Sequence, residues 1–491
     1  MRARDGGPAG RLSRAVDAWR ADEAHARVER WAGAPDAGAA ADVSARHGWL
    51  RGAEARELLA QLVSSGAVSP DEGGALAAHL SRAAAEHTLA PVRTALRAFA
   101  VSAVDVGGDA VPIARVVEDV AVEPDARRRS VLARALTAAA EQQRPMLLDA
   151  RALADEVGAR VLANLPPRPD AGPEMDALLT EANATLDATD DAARELVDAA
   201  VRTCGITPSG GDLQWHDVLA ATRVRALDRS FPSAGRFRRF GALLSPLGLQ
   251  RELGAHVRVA HTHGGIDPRA RLAVLSAPRD VRIGAPTIEH GLYSELACID
   301  ATGRALAIAL AAPALPAALA RPLDGSVARA FGGLLVQLHA DRVFLRHARG
   351  VSGRELDTMA RAAALQILLE LRVTAAALVA RRAATTDRVA AGTAALRRAL
   401  GGAHVPPALA ALVVSTPAAL SARFRARRGA LALHAALREH ADEDWFRNPR
   451  VSEALRALAA RGGGLTIEAA LTELGGASTR ANARILELVD S

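Results

Sequence analysis

Residues 254–286 read GAHVRVAHTHGGIDPRARLAVLSAPRDVRIGAP, the one stretch where the chain departs clearly from helical spacing. Within it His256–Ala260, Arg271–Leu275 and Asp280–Ile283 are short, β-branched and separated by Gly, Pro and Asp. Runs of that kind, bounded by turn formers, predict three short strands. On either side Ala, Leu and Val recur every three to four residues, the spacing of an amphipathic helix. That spacing predicts helices over Ala53–Val63, Pro70–Ala85, Arg128–Ala140, Glu174–Ala188 and Asp190–Thr203. Beyond the strands it predicts others over Gly291–Ala311, Ser326–His347 and Ser352–Arg382, with several more in the last hundred residues. The expected architecture is mainly α, a large multi-helix protein with its only strands at about 254–286.

Gly- and Pro-bearing joints such as Val106-Gly107-Gly108-Asp109 interrupt the helices. The clearest linker is Leu165-Pro-Pro-Arg-Pro-Asp-Ala-Gly-Pro173, whose prolines cannot sit inside a helix. It divides an N-terminal helical lobe, 1–165, from a domain spanning 174–491, with 166–173 as the Pro-rich connection. No repeat of fixed period is visible.

Of 491 residues, 50% are hydrophobic and 24% charged, which excludes a disordered chain. All 61 basic residues are Arg, so mechanisms that need a lysine, the P-loop and Schiff bases among them, are excluded. Arg exceeds Asp plus Glu by only six, and the two signs are interleaved. That pattern describes a solvated surface rather than a nucleic-acid footprint. The two cysteines, Cys204 and Cys298, form no CxxC pattern and are expected as reduced, buried thiols. The N-terminus has no apolar run, and Ala305–Ala320 is interrupted by Pro313 and Pro316. It also falls short of the roughly 20 residues that span a bilayer, so a soluble, cytoplasmic protein without a membrane partner is expected.

The standard catalytic motifs are absent: no G-x-S-x-G, no G-x-G-x-x-G opening a helix after a strand, no H-E-x-x-H. His261 and His263 would face one side of a strand, with Glu289-His290 in the next connection, a weak alternative metal site. The plainer reading is polar residues beside Gly264-Gly265. His339 and His347 fall on one face of an expected helix, too far apart for one ion at about 1.5 Å of rise per residue. His434 and His440 point to different sides of a helix and are expected at the surface. Asp442-Glu443-Asp444 is expected to cap or turn a helix.

One long order of segments carries more. Trp215–Phe231, Ala242–Leu249 (ALLSPLGL), the three strands and Glu289–Leu310 are followed by Asp324-Gly-Ser-Val-Ala-Arg-Ala-Phe-Gly-Gly-Leu-Leu335. Leu437–Pro449 and Leu474-Gly475 come last. This order resembles the catalytic half of the thimet-oligopeptidase and oligoendopeptidase F type of zinc peptidase. The resemblance covers roughly Trp215 to Gly475 and implies a two-lobed helical fold around a peptide channel.

In that family a helix carries H-E-x-x-H, often continuing G-H-A-L. The two His bind zinc, the Glu activates water, and a Glu on the following helix completes the site. Aligning Gly303-Arg304-Ala305-Leu306 with G-H-A-L puts Asp300 and Arg304 at the His positions and Ala301 at the Glu position. Arg329, twenty-five positions beyond Arg304, stands where the third ligand belongs. A protonated guanidinium cannot bind zinc, and alanine cannot move a proton. The family's oxyanion-stabilising Tyr and His are also missing from the matching segment, Ser421–Arg428.

The resemblance therefore implies a catalytically inactive relative without metal or other cofactor, binding peptides or a partner protein. A metal-dependent hydrolase with non-standard ligands and a purely structural helical protein are the alternatives. The arginines at 236, 238, 239, 423, 425, 427 and 428 either line a channel for acidic peptides or form ordinary surface. At the lost metal position Asp300 is expected between Arg304, one turn away, and Arg329 from the neighbouring helix.

Overall fold

Helices built on Ala and Leu bury one apolar stripe each, so many of them must share partner surfaces. The computed structural model describes residues 7–31, 39–88, 102–163, 175–208, 211–260, 271–285, 291–321, 325–382, 388–413 and 417–490, with 90, 94, 98 and 99. The fold is mainly α with two small sheets. Asp190–Thr203 forms the expected helix to the residue, and Ala53–Ser64, Pro70–Thr88 and Met175–Ala188 match to within a few residues. The helix expected at Arg128–Ala140 runs much further, as Ala126–Ala163, and carries Pro145 inside it.

The three expected strands are present as β3 (Val257–Ala260), β4 (Arg271–Ser276) and β5 (Asp280–Gly284). β5 lies in the middle, parallel to β3 and antiparallel to β4. They are not the only strands, which corrects the sequence reading. Ala103–Val106 (β1) and Asp109–Pro112 (β2) form an antiparallel hairpin around Gly107 and Gly108. Both glycines have positive φ, 69° and 98°, the demand of a two-residue hairpin turn, and Gly108 N–H donates to Asp105 Oδ1. The pair Gly-Gly between Val-rich arms signalled a hairpin and not merely a helix break.

Ser326–His347 is likewise not one helix. It divides into Ser326–Gln337 and Arg342–Arg349, because the Asp341 carboxylate accepts from Val343 N and Phe344 N and starts the second piece. His339 therefore lies in the buried connection and shares no helical face with His347.

One buried cluster gathers Val116, Leu132, Leu178 and Leu196 with Ile299, Leu334, Leu368, Leu431 and Ile485. Helices from before and after the proline run thus share a core, while the run itself lies outside the described residues. A second cluster, Leu12, Val16, Leu50, Leu59 and Leu76, closes on Ala318 and Leu319. Its first helix, Pro8–Trp31, also lays Ala24 and Trp31 on Ala273 and Leu275 of β4. Among the described residues one helix, Gly353–Arg381, is long and apolar enough to cross a membrane, but 78% of its apolar window is buried inside the protein. Cys204 and Cys298 are free thiols, and only Cys298 is fully buried.

Candidate functional site

Gly291–Ala309 is the helix on which Asp300, Ala301 and Arg304 stand. Its neighbour, Ser326–Gln337, touches it backbone to backbone. A Cβ added to Gly303 would lie 2.6 Å from the Phe331 carbonyl oxygen and 2.8 Å from Gly332 Cα. A Cβ on Gly332 would lie 2.5 Å from the Asp300 carbonyl oxygen, and one on Gly333 would meet Ala430 of the Pro417–Ala441 helix at 2.8 Å. Only glycine permits this approach, so Ser326–Gln337 is wedged between the helix of Asp300 and the helix of Arg427.

An ion cluster spans the wedge. Arg304 Nη1 donates to Asp300 Oδ2 at 3.4 Å, one turn along the same helix. Arg427 Nη1 donates to Asp300 Oδ1 at 3.3 Å across the glycines, and its Nη2 reaches Glu370 at 2.6 Å. Burial works against the Arg427 charge, but Glu370 and Asp300 outweigh it and raise the pKa. The expected cluster is therefore corrected in one member. Asp300 does lie between two guanidiniums, but the second belongs to Arg427, and Arg329 turns its own over Gly325 at the start of its helix. Ala301 is fully buried and brings no polar group.

The remaining sequence candidates separate. His261, His263, Glu289 and His290 lie outside the described residues. His434, expected at the surface, is fully buried: Arg484 Nε donates to its Nδ1 at 2.9 Å, and the ring meets Trp445 edge-on. Burial, with Arg484 and Arg438 nearby, pushes its pKa well down, so the ring is neutral. His339 is driven down to about 3 by burial and by Arg349. Asp442 takes a left-handed turn (φ 67°) just after the Pro417–Ala441 helix, as expected of a turn-forming acid.

The grouped arginines are not a single lining. Arg236 and Arg239 bind the buried Glu295 at 2.9 and 3.5 Å, with Arg349 at 3.6 Å. Arg425 reaches Glu468, Arg428 pairs with Glu181, and Arg427 serves Asp300. Arg427 was one of several equivalent arginines in the sequence; nothing local marked it as the partner of a residue 127 positions away.

No protein-family model matches the sequence, and no curated protein does. Solved structures do match. The M32 carboxypeptidase of Deinococcus radiodurans R1 is 16% identical, with 98% of this chain and 99% of that one covered at a TM-score of 0.53. A Bacillus anthracis str. Ames protein described as oligoendopeptidase F is 11% identical over 91% of this chain and 81% of its own, at 0.59. Metallocarboxypeptidase 1 of Trypanosoma cruzi is 12% identical over 98% of each chain, at 0.55. The chain has a metallopeptidase fold. The residues at the resembled metal position do not suit a metal: the Asp300 oxygens are taken by guanidiniums, and Ala301 offers no donor. Among the described residues no group of three or more His, Cys, Asp or Glu could hold an ion.

Proposed function

We propose that this chain is a catalytically inactive member of the metallopeptidase fold, acting as a peptide- or protein-binding scaffold in the cytoplasm. The observation that carries the reading is Asp300, bound by Arg304 and Arg427 beside Ala301, at the positions that the resemblance assigns to zinc ligands and base. Hydrolysis by that family needs a metal-activated water and a proton acceptor, and Asp300, Ala301 and Arg304, at the resembled positions, supply neither role. The fold itself is independent of those groups, since it rests on the apolar faces of many helices. A scaffold that keeps the peptide-binding architecture without the reaction is the function this combination favours.

The test is a defined peptide library incubated with the full-length protein and followed by mass spectrometry. Peptides retained but intact are expected. Cleavage that a chelator abolishes would overturn the reading and favour a site built on other ligands, with His261, His263, Glu289 and His290 as the first residues to replace.

A further inference from the structure

A cavity of about 390 Å3 opens where the start of the Arg342–Arg349 helix, the end of the Pro417–Ala441 helix and the Arg480–Asp490 helix meet. That volume lies in the range of small-molecule pockets, roughly 300–1,000 Å3. The cavity is separate from the Asp300 cluster. Arg438, on its wall, stands about 16 Å beyond Arg427 along the same helix.

The inner wall is a fixed set of charges. Arg438 Nη1 donates to Asp341 Oδ2 at 2.9 Å, and Arg484 Nη2 approaches the same oxygen at 3.6 Å. Two guanidiniums thus meet over one carboxylate oxygen, and the side chains of Asp341 and Arg484 are only 1% and 4% accessible. His434 braces Arg484, since its Nδ1 accepts from Arg484 Nε at 2.9 Å. His434 Nε2 is buried with no hydrogen-bond partner, 3.7 Å from that same Asp341 oxygen. Burial lowers the Arg484 pKa even with Glu487 and Asp341 beside it, so a further carboxylate would relieve this side chain.

The mouth is built differently. Arg438 Nη2 and Arg484 Nη1 donate to Glu443 and Glu487, each at 2.8 Å. Those two acids are 66% and 58% accessible, and ion pairs so open to water are weak and readily exchanged. Arg342, the third arginine of the wall, is engaged by Asp357, while Val343 and Leu488 supply an apolar part.

We propose that this cavity binds a small zwitterion of the α-amino acid or dipeptide kind, its carboxylate on Arg438 and Arg484 and its ammonium on Glu443 and Glu487. A ligand with both charges replaces the two mouth pairs and leaves none of the four side chains without a partner. A simple anion would reach the arginines but meet the displaced glutamates, and a simple cation would meet the arginines. Val343 and Leu488 suit an apolar side chain such as that of leucine.

The experiment is isothermal titration calorimetry of the full-length protein with leucine, the dipeptide Leu-Leu, N-acetylleucine, which lacks the ammonium, and leucinamide, which lacks the carboxylate. The tighter of leucine and Leu-Leu gives the ligand length, and it should bind about tenfold more tightly than either blocked compound. The double variant Glu443→Gln with Glu487→Gln should weaken the zwitterion about threefold or more, yet leave N-acetylleucine unchanged or tighter. Arg438→Gln should weaken both. Melting curves show that each variant is folded; if Arg438→Gln is not, the glutamate variant decides alone, because its two acids stand at the surface. No binding of leucine or Leu-Leu at about 10 mM would overturn the proposal. So would a blocked compound that binds as tightly as the zwitterion, or an unchanged preference in the folded glutamate variant. Each of these outcomes leaves the reading of the Asp300 site untouched.

Discussion

Glu295 and Asp300 lie five residues apart on the Gly291–Ala309 helix, and both are held by arginines, but in opposite settings. Glu295 is 1% exposed and takes Arg236, Arg239 and Arg349, the last also stacked 4.7 Å from the Phe231 ring. Asp300 is 16% exposed and takes two guanidiniums at 3.4 and 3.3 Å. A sealed carboxylate with three guanidiniums is a structural knot, because removing it strands positive charge away from water. A partly exposed carboxylate with long contacts gives up little when its partners turn to water. The same pairing thus ties the body together on one side of the helix and leaves exchangeable charge on the other.

Four substitutions break or sharpen this contrast, beginning with the sealed side. Glu295→Ala should destabilise the fold by about 3–5 kcal/mol, read from urea melts. A loss near that of an exposed ion pair would mean that the three arginines are solvated and the contrast is false. Gly303→Ala comes next, at about 1–3 kcal/mol, since its Cβ must push back the Phe331 carbonyl or the Gly332 backbone. If this variant melts with the parent, the helices are not wedged as described.

Acid should be felt wherever a histidine is buried. His339, near Arg349, and His79 each have a folded pKa of about 3, both chiefly because of burial. The unfolded chain takes up these protons below about pH 6.5 while the folded chain does not, so stability is complete above 6.5 and falls as pH falls. Each such histidine removes about 1.4 kcal/mol per pH unit in that window. His339→Gln should therefore flatten the decline of melting temperature between neutral pH and the acid limit; an unchanged slope would show that His339 is solvated. Asp300→Asn is the mildest, about 1 kcal/mol or less, because the site keeps its shape and some water. A larger loss would make Asp300 a second knot.

Much of the fold was readable from the chain because its signals are local. The β-branched runs at 257–260, 271–276 and 280–284 stand out in an Ala-Leu background, and Asp190–Thr203 is bounded by a run of acids and a Cys-Gly joint. The hairpin at Gly107-Gly108 carried an equally local signal. The break at Asp341 was harder to see, because a capping aspartate competes with an otherwise continuous apolar pattern. The site was legible only in part. Asp300 and Arg304 are one helical turn apart, and that contact follows from helical geometry. Arg427 reaches Asp300 through the close approach at Gly332 and Gly333, a contact that depends on packing between distant segments. His434 was misplaced for the same reason: its burial is set by Arg484 and Trp445, not by its own helix.

The most direct test of the central claim is the metal content of the purified full-length protein, produced in zinc-replete medium and measured by inductively coupled plasma mass spectrometry. With Asp300 held by Arg304 and Arg427 beside Ala301, no stoichiometric zinc or other transition metal should be present, and chelator treatment should leave the melting temperature where it was. One equivalent of zinc per chain, removed by chelator with a loss of stability, would contradict the account.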